Sequence, residues 1–360
     1  MTRKINVAVT GFYGTGSGAV VDLLREYEEM QVVPYKDVNY EHVAFYANGG
    51  LFDAVSLLTR GNNPFSSDAV IHNFKKAMHR INDYDYLWFG SYKKMFRNDF
   101  IKLCDNFVEE ISTSRISKNS NHVIKSRFSI VKAMIQIVAR VLLKKKFTQY
   151  GIKYIYDSKT LYCAMPSEEE LYKAAKAFTS GYFSLFDKFT DKQVKVFDHA
   201  IWASEIDAFK DCFDDDFRVI VVDRDPRDVY LCDQYIWSKP PIRINGEPHF
   251  PTDIDEFVSE WKKTIISTYR NPNALHIHFE DLIYDYDQTV NKIERFIGVP
   301  LHHVNKGKVL EVEKSIENTQ LFNVNDEWKK QSEKIAEGLS EYLYSFPYER
   351  TPDRKKMFDR

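Results

Sequence analysis

The first apolar cluster along the chain is Ile5-Asn6-Val7-Ala8-Val9, whose β-branched residues predict a strand. Small residues follow as far as Gly18, and apolar positions 20, 21, 23 and 24 then predict a helix ahead of Arg25-Glu26-Tyr27. Gln31-Val32-Val33, stopped by Pro34, predicts a second strand, so the chain opens as strand, turn, helix and strand. From about residue 60 to 185 the pattern changes to long helical periods rich in Lys, Phe and Tyr, notably 122–146 and 167–186. Strand patterns return at 194–197, 217–222 and 275–279, the second almost continuously apolar, as in a parallel strand covered on both faces. Helical periods cover 254–269 and 286–297, the latter stopped by Gly298 and Pro300. The expectation is an α/β fold: one domain over 1–360, a mostly parallel sheet between helical layers, with a helical insertion at about 60–185. A tail from Tyr348 is expected to be loosely ordered.

Composition narrows the partners. A hydrophobic content of 44% is enough for a sizeable core, while 50 basic against 52 acidic residues leaves no global charge to attract nucleic acid or an anionic membrane. Any anion site must therefore be local. Cys104, Cys163, Cys212 and Cys232 are widely separated without CxxC spacing, which speaks against a zinc cage or a disulfide framework. The first strand begins within five residues of the N-terminus, and no apolar run reaches the length of a membrane span. A soluble protein of the cytoplasm is expected.

Two stretches carry candidate chemistry. Between first strand and first helix, Gly14-Thr15-Gly16-Ser17-Gly18-Ala19 can turn several backbone N–H groups onto one anion, assisted by the helix N-terminus. The alternative is a tight turn that needs glycine for packing alone. No lysine follows the last glycine, as a triphosphate-binding loop requires, and no acidic residue closes a second strand, as a dinucleotide fold requires. The second stretch, Asp223-Arg224-Asp225-Pro226-Arg227-Asp228, lies past the carboxyl end of the apolar strand, where open α/β sheets bind ligands. Arg224 is placed to grip a phosphate with paired hydrogen bonds; the alternative is a charged loop whose Arg and Asp residues satisfy one another.

Arg224-Asp225-Pro226-Arg227-Asp228-Val229 resembles the 3′-phosphate motif of the sulfotransferases that use 3′-phosphoadenosine 5′-phosphosulfate. Thr15-Gly16-Ser17-Gly18-Ala19 resembles their 5′-phosphosulfate loop in its small-residue form. Phe279-Glu280-Asp281-Leu282, with the helix ending at Gly298, resembles a further family segment, and Lys314-Ser315-Ile316-Glu317-Asn318-Thr319 is similar to the one that closes over the donor. The resemblance covers 5–30 and 190–300 and implies a P-loop-like three-layer fold. It implies that the nucleotide donor is held by residues 14–19 and Arg224, with Lys314 and Ser315 contributing, and that no metal takes part. Cys232 stands where family members place a serine on the 3′-phosphate, and a thiol is a poor donor there. The cation that relatives carry before the loop glycine is replaced by Phe12 and Tyr13.

By the same resemblance a sulfuryl group moves to an acceptor hydroxyl, expected on a glycan. His199, after Val194-Lys195-Val196-Phe197-Asp198, is the first candidate for the base. Asp198 either orients it or acts itself, and Glu41 is an alternative that is equally a surface carboxylate. Trp202, Trp237 and Trp261 are candidates to stack on an adenine or a sugar, or core residues. Two rival functions remain: a kinase or nucleotidase using ATP and magnesium, with Asp223 as metal ligand, and a nucleotide-binding protein without turnover.

Overall fold

The computed structural model describes residues 4–33, 42–60, 63–84, 91–116, 134, 161–238, 249–265 and 274–358. Apart from Met134, the predicted helix 122–146 lies outside the described residues, as does Glu41. The chain divides into two compact units, Met1–His42 with Phe186–Arg360, and Val43–Leu185.

The first unit is built on a five-stranded sheet: β1 (Ile5–Gly11), β2 (Met30–Val33), β5 (Val194–Asp198), β6 (Phe217–Asp223) and β7 (Leu275–His278), in the order β2-β5-β1-β6-β7. Every neighbouring pair is parallel. The three later strands fall where the apolar runs predicted them, and β1 is buried along its whole length. Ile5, Val7 and Val9 point to one face, where they meet Val20, Val21, Leu23 and Leu24 of helix Ser17–Leu24 and Ile293 and Ile297 of helix Tyr286–Ile297. Burying one such side chain contributes about 1.5–3 kcal/mol, so this layer fixes the helix that follows the glycine loop. A second core joins helices Pro226–Leu231, Ile254–Thr264 and Asp326–Gly338 through Leu231, Phe257, Trp261 and Trp328. The result is a mixed α/β fold with a parallel sheet flanked by helices.

The second unit is helical. Helices Leu51–Thr59, Pro64–Asp83, Tyr92–Phe96, Asp99–Ile111 and Glu168–Ser184 are accompanied by a two-stranded antiparallel sheet, β3 (Ser114–Ile116) and β4 (Leu161–Cys163). Its helical character starts at Leu51, ahead of the predicted boundary, because Leu51, Phe52, Val55 and Leu58 already follow a helical period and are buried. Ser167 and Glu170 form a reciprocal capping box, which sets the start of Glu168–Ser184 where sequence reading placed it.

The tail is more ordered than predicted. Arg350 N–H donates to Gln320 Oε1, Asn323 donates to the Arg350 carbonyl, and Arg350 pairs with Glu317. These are mostly backbone bonds, which composition does not reveal.

Glu26, at the end of the first helix, is fully buried. Burial alone would raise its pKa, but His303 and the N–H groups of Val309, Leu310 and Gly307 all hold its carboxylate, and the net direction is downward. A carboxylate whose folded pKa lies below its unfolded value stabilises the fold fully above the ordinary carboxylate range; that contribution is lost as pH falls through the folded pKa. Glu26→Gln should therefore cost about 3 kcal/mol at neutral pH, since it puts an amide against N–H donors. Thermal melts from neutral pH down to about 3 should show the gap to wild type closing on acidification. A gap constant with pH would mean that the charge of Glu26 is not what holds 303–310.

Candidate functional site

The loop after β1 lies at the centre of the sheet's carboxyl edge, flanked by the ends of β5 and β6. Gly11 pairs in register with Val222, and a Cβ there would approach the Val222 carbonyl oxygen to 2.7 Å. Only glycine lets the strand leave the sheet so close to its neighbour. Thr15 is buried and turns back into the loop, its hydroxyl donating to the Phe12 carbonyl at 2.8 Å. Gly16 then caps helix Ser17–Leu24 at φ 90°, a left-handed conformation that disfavours other residues. It provides no side-chain cap, and the first turn, with Ser17, Gly18 and Ala19, holds no acidic residue. No side chain of the first turn therefore competes with an anion for the leading N–H groups, although Ala19 N–H already donates to the Gly16 carbonyl at 3.0 Å.

Gly16 also faces Phe279, and an added Cβ would meet that ring at 2.8 Å. Gly16→Ala should thus cost about 1–2 kcal/mol through backbone strain alone, with a further penalty from the ring. The measurable expectation is a lower thermal midpoint together with weakened donor binding. A variant as stable and as tight-binding as wild type would show that the loop is not constrained in this way.

Tyr13 is clamped beside the loop. Its ring stacks on His249 at 3.4 Å and meets Trp237 edge-on at 5.4 Å. Buried Asp233 fixes that neighbourhood by accepting the backbone N–H groups of His249 and Phe250. Trp237 ends a π-helical stretch, Cys232–Trp237, which continues helix Pro226–Leu231. It approaches Gly14, where a Cβ would lie 3.6 Å from its ring.

On the β6 side, the two arginines of the charged loop part company. Arg227 is held by Asp225 through Nε at 2.9 Å and Nη2 at 2.6 Å, a mutual satisfaction of the kind weighed from sequence. Arg224 is not part of that pair. Its Nη1 donates to the Gly14 carbonyl at 2.9 Å and its Nη2 to the Asn318 carbonyl, and it is only 4% exposed. The Phe279 and Phe358 rings lie 5.2 and 5.9 Å from the guanidinium carbon. The structure thus brings Arg224 and the glycine loop into direct contact.

Around Arg224 lie buried carboxylates. Asp225 caps helix Pro226–Leu231 by accepting Arg227 N–H, with Pro226 in the first turn. Glu280 accepts Asp225 N–H, and Asp228 accepts Gln320 N–H and Leu321 N–H. Burial and the Asp225 charge push Glu280 up to about 8 and Asp228 up to about 7, with Arg224 opposing both. Cys232 is fully buried beside the same guanidinium, and its thiol is pushed up to about 12 by burial, with Arg224 again pulling the other way. It occupies the position expected of the serine, without that residue's donor strength. Asp281 accepts His278 N–H and the Tyr344 hydroxyl.

On the β5 side, β1 Val9 pairs with Asp198, and His199 N–H donates to the Val9 carbonyl at 2.9 Å. His199 has φ 50°, an unusual backbone for a non-glycine residue. Its Nδ1 lies 2.7 Å from Asp198 Oδ1, and both side chains are partly exposed. The Trp202 ring is 5.8 Å away. A third member was missed from sequence: His42 is buried against Phe186 and Phe197, with Nε2 on the Val33 carbonyl at 3.1 Å. Burial lowers it to about 4; the Val33 carbonyl and Asp198 oppose the shift, and His199 adds to it, so at neutral pH His42 is uncharged beside the Asp198–His199 pair.

Other candidates fall elsewhere. Lys314 pairs with Glu311 in its own helical turn, Val312–Ser315, and it is Asn318, beyond Ser315, that meets Arg224. Asp223 is paired with His276 Nδ1 at 3.2 Å across β6 and β7. Among the described residues, Glu28, Glu29 and His302 lie close enough together to hold a metal ion. Glu29 already takes both the ring and the backbone N–H of His302, and it raises the pKa of that imidazole.

A glycine loop and a buried arginine thus meet at the carboxyl edge of a parallel sheet in a three-layer α/β fold. Residues 205–346 match the family model described as a sulfotransferase domain. A sulfotransferase domain is therefore present in this chain, consistent with the enzymes that use 3′-phosphoadenosine 5′-phosphosulfate, and its presence supports catalytic sulfuryl transfer. The match includes Arg224, Cys232, Glu280 and Asn318, whereas the glycine loop and the Asp198–His199 pair precede it. No curated protein matches the chain. No helix among the described residues is long and apolar enough to cross a membrane.

Proposed function

We propose that this chain is a cytoplasmic enzyme that transfers the sulfuryl group of 3′-phosphoadenosine 5′-phosphosulfate to a carbohydrate hydroxyl. The observation that carries the reading is the Arg224–Gly14 hydrogen bond. It puts the arginine assigned to the 3′-phosphate against the loop, residues 14–19, assigned to the 5′-phosphosulfate. Cys232 lines the 3′-phosphate side, and Lys314 and Ser315 belong to the segment that closes over the donor. Loop N–H groups and the helix N-terminus stabilise the charge that grows on the departing 5′-phosphate.

His199 takes the acceptor proton on Nε2, while Asp198, at Nδ1, orients the ring and stabilises its positive charge. As the acceptor oxygen bonds to sulfur, the bond from sulfur to the 5′-phosphate oxygen breaks, and the bisphosphate leaves with that electron pair. Glu41 is assigned to the acceptor side. Trp202, beside His199, suits the apolar face of a sugar ring. The chemistry requires no metal. A magnesium-dependent kinase is disfavoured by the His276 partner of Asp223 and by the absence of a loop lysine.

Incubation with sulfur-labelled donor and a panel of glycans and other hydroxyl acceptors, with and without chelator, tests this. Chelator-resistant label on a glycan is expected. Label on a different acceptor class would overturn the carbohydrate assignment, and magnesium-dependent use of ATP would overturn the donor assignment.

A further inference from the structure

The residues that close around Arg224 form a continuous strap. Gln320 is buried with a left-handed backbone at φ 55°, a costly conformation for a residue with a side chain. Asp228 holds its backbone, and its amide reaches the Tyr284 hydroxyl, the Tyr348 carbonyl and Arg350 N–H. The tail is thereby anchored beside the charged loop. At its far end Phe358 N–H donates to Asn318 Oδ1 at 2.8 Å, and the Phe358 ring packs edge-on against Trp237 at 5.7 Å. The Asn318 carbonyl is in turn an acceptor for Arg224 Nη2.

Arg224 thus has one terminal nitrogen on the loop, the other on the strap, and an aromatic ring of the tail nearby. Among the described residues Nε has no partner, but each terminal nitrogen already serves a carbonyl, so a phosphate gripped by the terminal pair would have to share Nη2 with the Asn318 carbonyl. Resting on the donor-site reading above, we propose that the C-terminal strap is an autoinhibitory latch: the tail, anchored by Phe358 N–H on Asn318 Oδ1, holds the Asn318 carbonyl on Arg224 in competition with the donor's 3′-phosphate, and donor binding releases the tail. The latch ties occupancy of the site to a segment that other molecules can reach, since Arg354, Lys355 and Lys356 are exposed. A latch closed in about nine molecules of ten lowers apparent donor affinity about tenfold.

Calorimetric titration with adenosine 3′,5′-bisphosphate tests this on the intact chain, on Phe358→Ala and Asn318→Ala, and on a chain ending at Pro352, with Arg224→Ala as reference. The three latch variants are expected to bind several-fold to about tenfold more tightly than wild type. In wild type, the bisphosphate should accelerate trypsin cleavage at 354–356. If Arg224→Ala loses binding while the latch variants bind no more tightly than wild type, the latch is wrong and the donor site stands. Protection of 354–356 by the bisphosphate would likewise overturn the latch, making the tail a lid that closes on the ligand. If Arg224→Ala binds as wild type does, the donor-site reading fails first and the latch with it.

Discussion

Arg224→Ala is expected to weaken binding of adenosine 3′,5′-bisphosphate by about 30-fold or more, the scale set by removing a charged partner from a desolvated ion contact. The same substitution strips the Gly14 and Asn318 carbonyls of their donor and leaves Asp228 and Glu280 without the cation that opposes their upward shifts. A lower thermal midpoint should accompany the lost affinity. Arg224→Lys separates the two effects, because it keeps the charge but not the planar fork. It should recover much of the stability and little of the binding. Unchanged affinity in Arg224→Ala, measured on protein shown to be folded, would remove the arginine from the donor site.

The second large effect is expected at His199. A positioned general base typically contributes about 10²- to 10⁴-fold in rate, so replacing it should cut turnover on that scale while leaving donor affinity near wild type. The choice of replacement matters, because His199 sits at φ 50°. Asparagine tolerates this conformation better than alanine does, so His199→Asn isolates the chemistry from backbone relaxation. The rate should also lose its acidic limb, since a base works only when deprotonated and the variant has nothing there to titrate. Turnover within a few-fold of wild type would move the base elsewhere.

The parts of the molecule that could be read in advance were those in which side chains carry the constraint. β6 announced itself through Val219, Ile220, Val221 and Val222, which must be apolar because both faces of the strand are covered. Gly16 marked the loop because no Cβ fits there without meeting the Phe279 ring. The Arg-Asp-Pro-Arg-Asp stretch was visible, but the division of labour within it was not. Arg227 is satisfied by Asp225, whereas Arg224 reaches across to Gly14, a partner far away in sequence.

Backbone chemistry was the larger blind spot. Asn318 contributes a carbonyl, and Gln320 and Leu321 one backbone N–H each, and any residue other than proline offers those groups. Order in the tail is set the same way, by Arg350 N–H and Phe358 N–H, so its charged composition misled. His42 escaped because a lone histidine carries no pattern; only the pairing of β2 with β5 brings it to Asp198.

The burial of Cys232 has a practical consequence. A thiol with no exposure and a pKa pushed up to about 12 reacts with an alkylating reagent only during moments when the packing around it and Arg224 opens. Its labelling rate is therefore a clock for that opening, readable by mass spectrometry on the unmodified protein. The buried sulfur beside the guanidinium is thus a built-in reporter of how often the arginine comes within reach of solvent.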